Sequence, residues 1–312
     1  MSSKQVAIII PVFNRKDVTL HCLKQLVDID WNGNPPIVIV VDDGSRDGTA
    51  EAVREQYPGV YLMEGNGNLW WSGAINLGIE KSLNLGCEKV LFLNDDLILD
   101  KNFFNELQVV SESNENALVS SIKLYNENNA SANVLTGGFR TAGMLRQLYN
   151  LGGGGTYEDY KNEFGEVVEC DALTGAALLI PAHIFSILGR LDIKDFPHNG
   201  GDLEFTMRAS KRGLQCLVAT NSRVYTEPNP NYYQNYLKVS SRKEYLHNLL
   251  DDRKYNYGFS RQWKMATMHK PLLLGIFLFV FKFLGLLRWT FLKVVLPRQF
   301  LVALINKRAD CN

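Results

Sequence analysis

Three groups of acids in the 312-residue chain are spaced so that they could do chemistry. Asp42-Asp43-Gly44-Ser45 and Asn94-Asp95-Asp96 each set two carboxylates side by side. Neighbouring carboxylates repel unless a cation or hydrogen-bond donors meet them. A hard divalent cation takes oxygen ligands of this kind, and a carboxylate also accepts from an N–H group. The third acid, Asp202, follows Gly200-Gly201 and opens a helical stretch. The positive end of a helix favours its ionised form, which can take a proton from a hydroxyl. Each group also has an ordinary reading. Asp42 and Asp43 could form an Asx-type turn feeding a helix at Asp47. Asp95 and Asp96 could be an acidic N-terminal pair for a helix near Lys101. Glu204 and Arg208 stand i,i+4, the spacing of an intrahelical ion pair.

The elements that must position these acids alternate regularly. Val6–Val12 is a short apolar run, as expected of a strand buried on both faces. Asp17–Ile29 has helical spacing, Ile37–Val41 is a second buried strand, and Asp47–Tyr57 a second helix. Val60–Met63 is a third strand. Ser72–Leu85 is a third helix with Gly86 as its C-terminal stop, and Lys89–Leu93 a fourth strand. This alternation predicts a mostly parallel sheet flanked by helices. Ligands of such sheets bind beyond the carboxyl ends of the strands. Those ends carry Pro11-Val-Phe-Asn-Arg15, Asp42-Asp-Gly-Ser45, Glu64-Gly-Asn-Gly-Asn68 and Asn94-Asp-Asp96. Residues 125–170, with four glycines at Gly152–Gly155, read as mobile loops and short strands over the sheet edge. Regularity returns at Ala176–Pro181, Ala182–Leu188, Gly201–Arg212 and Gln215–Ala219.

Composition narrows the class. Lys+Arg and Asp+Glu each total 33, so the net charge is zero. No basic face interleaved with aromatics appears in the first two thirds, which argues against a nucleic-acid partner. The five cysteines are scattered without a CxxC pair, which fits a reducing compartment better than a disulfide framework or zinc site. Met1–Gln5 is polar and Val6–Val12 is too short for a signal peptide. Pro11-Val-Phe-Asn-Arg15 stands where a dinucleotide-binding GxGxxG turn would be, which removes a dehydrogenase. A nucleotidyltransferase would need a basic, Gly-rich phosphate loop after the first strand, and none is present. A non-catalytic nucleotide-sugar-binding subunit is the other alternative; the presence of both acid pairs and Asp202 speaks against it.

The ordered set Pro11-Val-Phe-Asn-Arg15, Val41-Asp-Asp-Gly-Ser45, Gly73-Ala-Ile-Asn-Leu-Gly78, Leu93-Asn-Asp-Asp96, Thr174-Gly175-Ala176 and Asp202-Leu-Glu204…Arg208 resembles inverting family 2 glycosyltransferases of the GT-A fold. The resemblance covers roughly residues 4–225. It implies a nucleotide-diphosphate sugar donor, a divalent metal (Mg²⁺ or Mn²⁺) and inversion at the anomeric carbon. It makes Asp96 the direct metal ligand, with Asp95 as a neighbour that orients ribose or sugar or shares the metal. It assigns the base of the nucleotide to the Asp42–Asp43 pair, Asp43 foremost, lined by Pro11, Phe13 and Asn14. It places Asn76 and Gly175 near the donor and makes Asp202 the general base. Arg15 is either a diphosphate contact or a solvated charge at a helix start. Trp71, beside Trp70, offers an aromatic face to sugar or is core packing. Two departures from the family's pattern stand in the sequence. Gly201 replaces the second acid that many relatives carry before Asp202. Thr226 or Glu227 stands near the place of a histidine metal ligand, and His198 lies upstream.

The expected organisation is a catalytic domain over 1–235 and a helical extension over 236–312. Pro271–Phe281 is wholly apolar, and the tail is punctuated by Lys270, Lys282, Arg288, Lys293, Arg298, Lys307 and Arg308. As a helix, Pro271–Phe281 spans only about 16 Å, short of a hydrocarbon core of roughly 30 Å. A helix lying in the membrane interface is the expectation. The alternatives are a spanning helix with Lys282 at mid-membrane, or a tail packed on the catalytic domain or on a second copy in a homo-oligomer. The reading is therefore a cytoplasmic glycosyltransferase, peripheral on the inner face of the cell membrane. It would move a sugar from a UDP- or dTDP-linked donor, dTDP-rhamnose among the candidates, to a saccharide or lipid-linked acceptor in surface-polysaccharide assembly.

Overall fold

The computed structural model describes residues 5–29, 31, 33–125, 132–142, 147–226, 259–268, 273–277, 279–281 and 284. They belong to two compact units, Met1–Pro228 and Asn229–Asn312.

The first unit begins with β1 (Val6–Val12), α1 (Lys16–Val27), β2 (Ile37–Asp42), α2 (Thr49–Gln56), β3 (Tyr61–Glu64), α3 (Trp70–Asn84) and β4 (Lys89–Leu93). Every expected element is present within a few residues. The four strands pair in parallel in the order β3-β2-β1-β4. Ile8 and Ile10 of β1 face one core cluster, with Cys22, Leu23 and Leu26 of α1. Ala7 and Ile9 face the other, with Ala74, Ile75 and Ile79 of α3. A strand sandwiched in this way must be apolar on both faces, which is why the run Val6–Val12 is continuous.

Beyond β4 come β5 (Ile98–Leu99), α4 (Phe103–Ser113), β6 (Leu118–Tyr125), β7 (Asn133–Thr136), β8 (Phe139–Ala142), β9 (Gln147–Asn150), α5 (Tyr157–Phe164) and β10 (Val167–Cys170). They are followed by β11 (Ala177–Pro181), α6 (Ile184–Leu188), α7 (Gly201–Lys211) and β12 (Cys216–Thr226). The sheet continues from β4 to β11, β6, β12 and β10. β11 runs antiparallel to both β4 and β6, so β4 and β6 point the same way and end on the same edge.

Two departures from the sequence reading have physical causes. β6 was not expected, because its run LVSSIKLY lacks a continuous apolar stretch. Its polar residues are satisfied inside: Ser121 Oγ meets Ser222 Oγ at 2.7 Å, and Ser120 Oγ donates to Ala177 O. Within residues 125–170 the expected short strands are present as β7 to β10, but a helix, α5, stands where only loops and strands were expected. Thr156 caps α5 by accepting from the Asp159 N–H, and the buried Tyr160 donates to Gly137 O at 2.6 Å. The glycines of this region give that ring its room.

The second unit contains α8 (Phe259–Met268) and helical residues at 273–277, 279–281 and 284. Trp263 and Phe279 meet edge to face at 5.0 Å. Among the described residues no helix is long and apolar enough to cross a membrane. The expected strip Pro271–Phe281 is described only in part, and the basic residues Lys270, Lys282, Arg288, Lys293, Arg298, Lys307 and Arg308 lie outside the described residues.

Candidate active site

The carboxyl ends of β1, β2 and β4 bring the expected segments together. Asp95 is buried at the end of β4, and its Oδ2 accepts from Thr19 Oγ1 of α1 at 3.1 Å. Its Oδ1 pairs with Arg15 Nη1 at 3.0 Å. The same guanidinium reaches Asp96 Oδ2 at 3.3 Å. Arg15 is thus neither a free charge nor merely a helix-start residue; it clamps the two acids. Burial pushes the Asp95 carboxyl up to about 6, against the pull of Arg15. Asp96 stays at the surface, its side chain 43% exposed. The acids do not cap the next helix, which has no side-chain cap.

This pair fits a metal in a limited way. Both oxygens of Asp95 are engaged, which leaves Asp96 as the carboxylate that can turn outward. Among the described residues no group of three or more His, Cys, Asp or Glu side chains is arranged to hold a metal. Thr226 closes β12, His198 sits against Trp70 with ring centroids 5.6 Å apart, and Glu227 lies outside the described residues.

The Asp42–Asp43 pair divides its work. Asp42 Oδ1 accepts from the Ser45 N–H at 2.8 Å, which is the Asx turn, while its buried Oδ2 has no hydrogen-bond partner among the described residues. Asp43 accepts from the N–H groups of Gly67 and Trp70, both at 2.9 Å. It therefore shapes the loop after β3. That loop holds Trp70 at φ +55°, a conformation a bulky residue adopts only at a cost. Asn14, at φ +51°, donates its N–H to Ser45 Oγ and accepts from the Arg46 N–H, joining the β1 and β2 loops. Pro11 pairs in register with Val41, and the Phe13 ring projects from the same corner, half exposed.

The two tryptophans separate in role. Trp71 Nε1 donates to Asn94 Oδ1 at 3.0 Å, and its ring packs on Phe92. A Cβ on Gly175 would lie 2.5 Å from that ring, so only glycine fits there. Gly175 donates its N–H to Asp202 Oδ2 at 2.8 Å, and the Leu203 N–H holds Oδ1 at 2.8 Å. Trp71, Gly175 and Asp202 thus form one contact chain from the end of β4 to the start of α7. Gly201, before Asp202, is closely packed: a Cβ there would run into Ser72 Oγ. Asn76 exchanges two hydrogen bonds with the backbone of Leu191, fastening α3 to the segment before α7. Glu204, buried, meets Arg208 through Nε at 2.9 Å and Nη2 at 2.8 Å, as its spacing predicted.

One residue at this edge escaped the sequence reading. Phe92, Leu178 and Ser120 lie in one row across β4, β11 and β6. The register of β4 with β11 ends at Leu93 and Ala177, and that of β11 with β6 at Leu178 and Ser120; beyond those ends stand Asp95, Gly175 and Lys123. Lys123 is partly buried, and its ammonium makes no hydrogen bond or ion pair with a described residue, though Asp96 and Asp202 both act on its charge. A lysine inside a strand that escaped notice gives no signal of its own.

Residues 7–157 match the model described as Glycosyl transferase family 2. No curated protein matches the sequence. Among solved structures, GalNAc-T7 with UDP, GalNAc and Mn²⁺ superposes with a TM-score of 0.59 at 14% identity, over 86% of this chain and 52% of that one. This chain therefore spans about half of that protein's length. The mannosyltransferase PcManGT from Pyrobaculum calidifontis, in complex with GDP-Man and Mn²⁺, gives 0.52 at 16% identity over 97% and 86% of the two chains. S. aureus TarS 1-349 gives 0.51 at 13% identity over 84% and 69%. At these identities the likeness is one of fold. Residues 7–157, just under half of the chain, are thus similar to family 2 glycosyltransferases, and the fold is the GT-A-like fold of the solved structures it superposes on.

Proposed function

We propose that this protein transfers a sugar, with inversion, from a nucleoside-diphosphate sugar to the hydroxyl of a saccharide or lipid-linked acceptor. The observation that carries the reading is the single contact chain that joins Asn94, the residue before the acid pair, to Asp202 through Trp71 and Gly175. The base of the nucleotide lies at Pro11, Phe13, Asn14 and the Asp42–Asp43 pair. The orphaned Asp42 Oδ2 supports this, because a buried acceptor without a donor is costly and an imide N–H would satisfy it. Asp96, with Asp95 behind it, would hold a divalent cation brought with the donor, a mode that needs only one or two protein carboxylates. Such a cation supplies positive charge to the departing diphosphate. Asp202 takes the proton of the attacking hydroxyl as the new glycosidic bond forms and the bond to phosphate breaks. The neighbours with GDP-Man or UDP and Mn²⁺ support the class of donor and metal.

Membrane attachment through the second unit belongs to the same proposal. Leu273, Phe277, Val280, Phe281 and Leu284 are all exposed, at the spacing of one helical stripe. A lipid interface is a natural cover for such a stripe and suits a lipid-linked acceptor in surface-polysaccharide assembly.

The test is a panel of UDP-, dTDP- and GDP-sugars, read by calorimetry with Mg²⁺ or Mn²⁺ and by transfer to lipid-linked saccharides. Asp202→Asn should keep donor binding and lose about 10²–10⁴ in turnover. Transfer by that variant within a few-fold of the parent would exclude Asp202 as base. Binding without transfer under any condition would favour a non-catalytic binding subunit.

A further inference from the structure

The direction of the strands leads a second cation towards the edge where Arg15 already clamps the acids. β4 and β6 run the same way and flank β11, so residues level with one another past Phe92, Leu178 and Ser120 reach the same edge. Two residues beyond the end of β4 stands Asp95, and two before the start of β11 stands Gly175, whose N–H holds Asp202. On β6, three residues past Ser120, is Lys123, which pairs with Thr136 of β7. Across β12 the register agrees: Lys123 lies beside Val224, and Val224 beside Leu99 of β5, shortly after Asp96. Lys123 therefore stands at the edge shared by the metal-side acid and the base. A partly buried ammonium with no hydrogen bond or ion pair to a described residue is an expensive thing to keep in a strand. Burial draws its proton affinity down, while Asp96 and Asp202 oppose this and favour the charged form. A polyanion between those two acids would complete its coordination.

We propose that Lys123 donates hydrogen bonds from its ammonium to the diphosphate of the donor and neutralises it as it leaves. This rests on the glycosyl-transfer reading and adds a residue to it. The bond from the anomeric carbon to the phosphate oxygen breaks, and its electron pair stays on the diphosphate. Lys123 keeps its proton and stabilises that charge, while the acceptor's proton goes to Asp202. Arg15 is committed to Asp95 and Asp96, which leaves Lys123 as the cation suited to the phosphates.

The experiment compares binding of UDP, dTDP and GDP with that of uridine, thymidine and guanosine, by calorimetry with Mg²⁺ present. Lys123→Met should weaken the bound nucleoside diphosphate about 10- to 100-fold. Its nucleoside should bind as in the parent, and Lys123→Arg should restore most of the loss. In the parent, the diphosphate and not the nucleoside should protect Lys123 from acylation, read by mass spectrometry; this needs no variant to fold. Equal diphosphate affinity in a Lys123→Met protein of unchanged melting temperature overturns the assignment, and so does an absence of protection. If the parent binds none of the six compounds, the glycosyl-transfer reading itself fails, and the assignment with it.

Discussion

Asp95 is a carboxylate whose surroundings pull in opposite directions. Burial and Asp96 raise its proton affinity, while Arg15 and Thr19 lower it, and the balance lies at about 6 against an ordinary 3.8. Because the folded value is the higher one, the folded state takes up the proton first as pH falls. The resulting stabilisation is complete below 3.8 and lost as pH rises through about 6. In metal-free, donor-free protein, the melting temperature of the parent relative to Asp95→Asn should therefore rise between pH 7 and pH 4.5. A constant difference across that window would show that Asp95 does not titrate there. Glu204 presents the opposite case, a buried acid matched by Arg208 at two points. Glu204→Gln leaves a guanidinium partly unmatched, and breaking a buried pair costs about 3–5 kcal/mol. Denaturant unfolding should show that loss, while kcat of the folded variant stays within a few-fold of the parent.

At the scale of elements, β11 is the hinge of the arrangement. Its antiparallel run between β4 and β6 brings the segment before it, Thr174-Gly175-Ala176, back to the site edge. Gly175 there touches the Trp71 ring from α3 and the carboxylate that opens α7. A methyl group at this position must displace the indole, Asp202, or both. Gly175→Ala should cost about 1–3 kcal/mol in stability, the usual range for overpacking. It should also lower kcat more than it raises KM for the donor, because the base is moved and the nucleotide corner is not. An unchanged kcat would show that the Trp71–Gly175–Asp202 chain does not position the base.

At the scale of the whole molecule, the chain divides into units with different surfaces. The first buries its apolar strands on both faces. The second exposes Leu273, Phe277, Val280, Phe281 and Leu284. If that stripe meets lipid, a chain ended before Lys270 should stay in solution on sedimentation with anionic vesicles, where the full chain pellets. The shortened chain should still use a water-soluble acceptor analogue. Pelleting that survives the truncation would place membrane contact elsewhere.

Much of the fold was legible before any coordinates. Apolar runs such as Val6–Val12 and Lys89–Leu93 are local signals, since a strand covered on both faces must be apolar throughout. They led to β1–β4 and to the acids at the strand ends. Asp202 and the Glu204–Arg208 pair were likewise legible, because helix starts and i,i+4 spacing are written along the chain. Tertiary structure decided what depends on distant partners. Local periodicity could not show β6, whose serines are satisfied by Ser222 and Ala177. Nor could it show that Arg15 would lie across Asp95 and Asp96, residues far along the chain. It left Trp70 and Trp71 as equals, and packing on Phe92 and Gly175 separated them. Lys123 became visible only when the parallel run of β4 and β6 on either side of β11 led it towards the edge that carries Asp95 and Gly175, a relation no stretch of sequence contains.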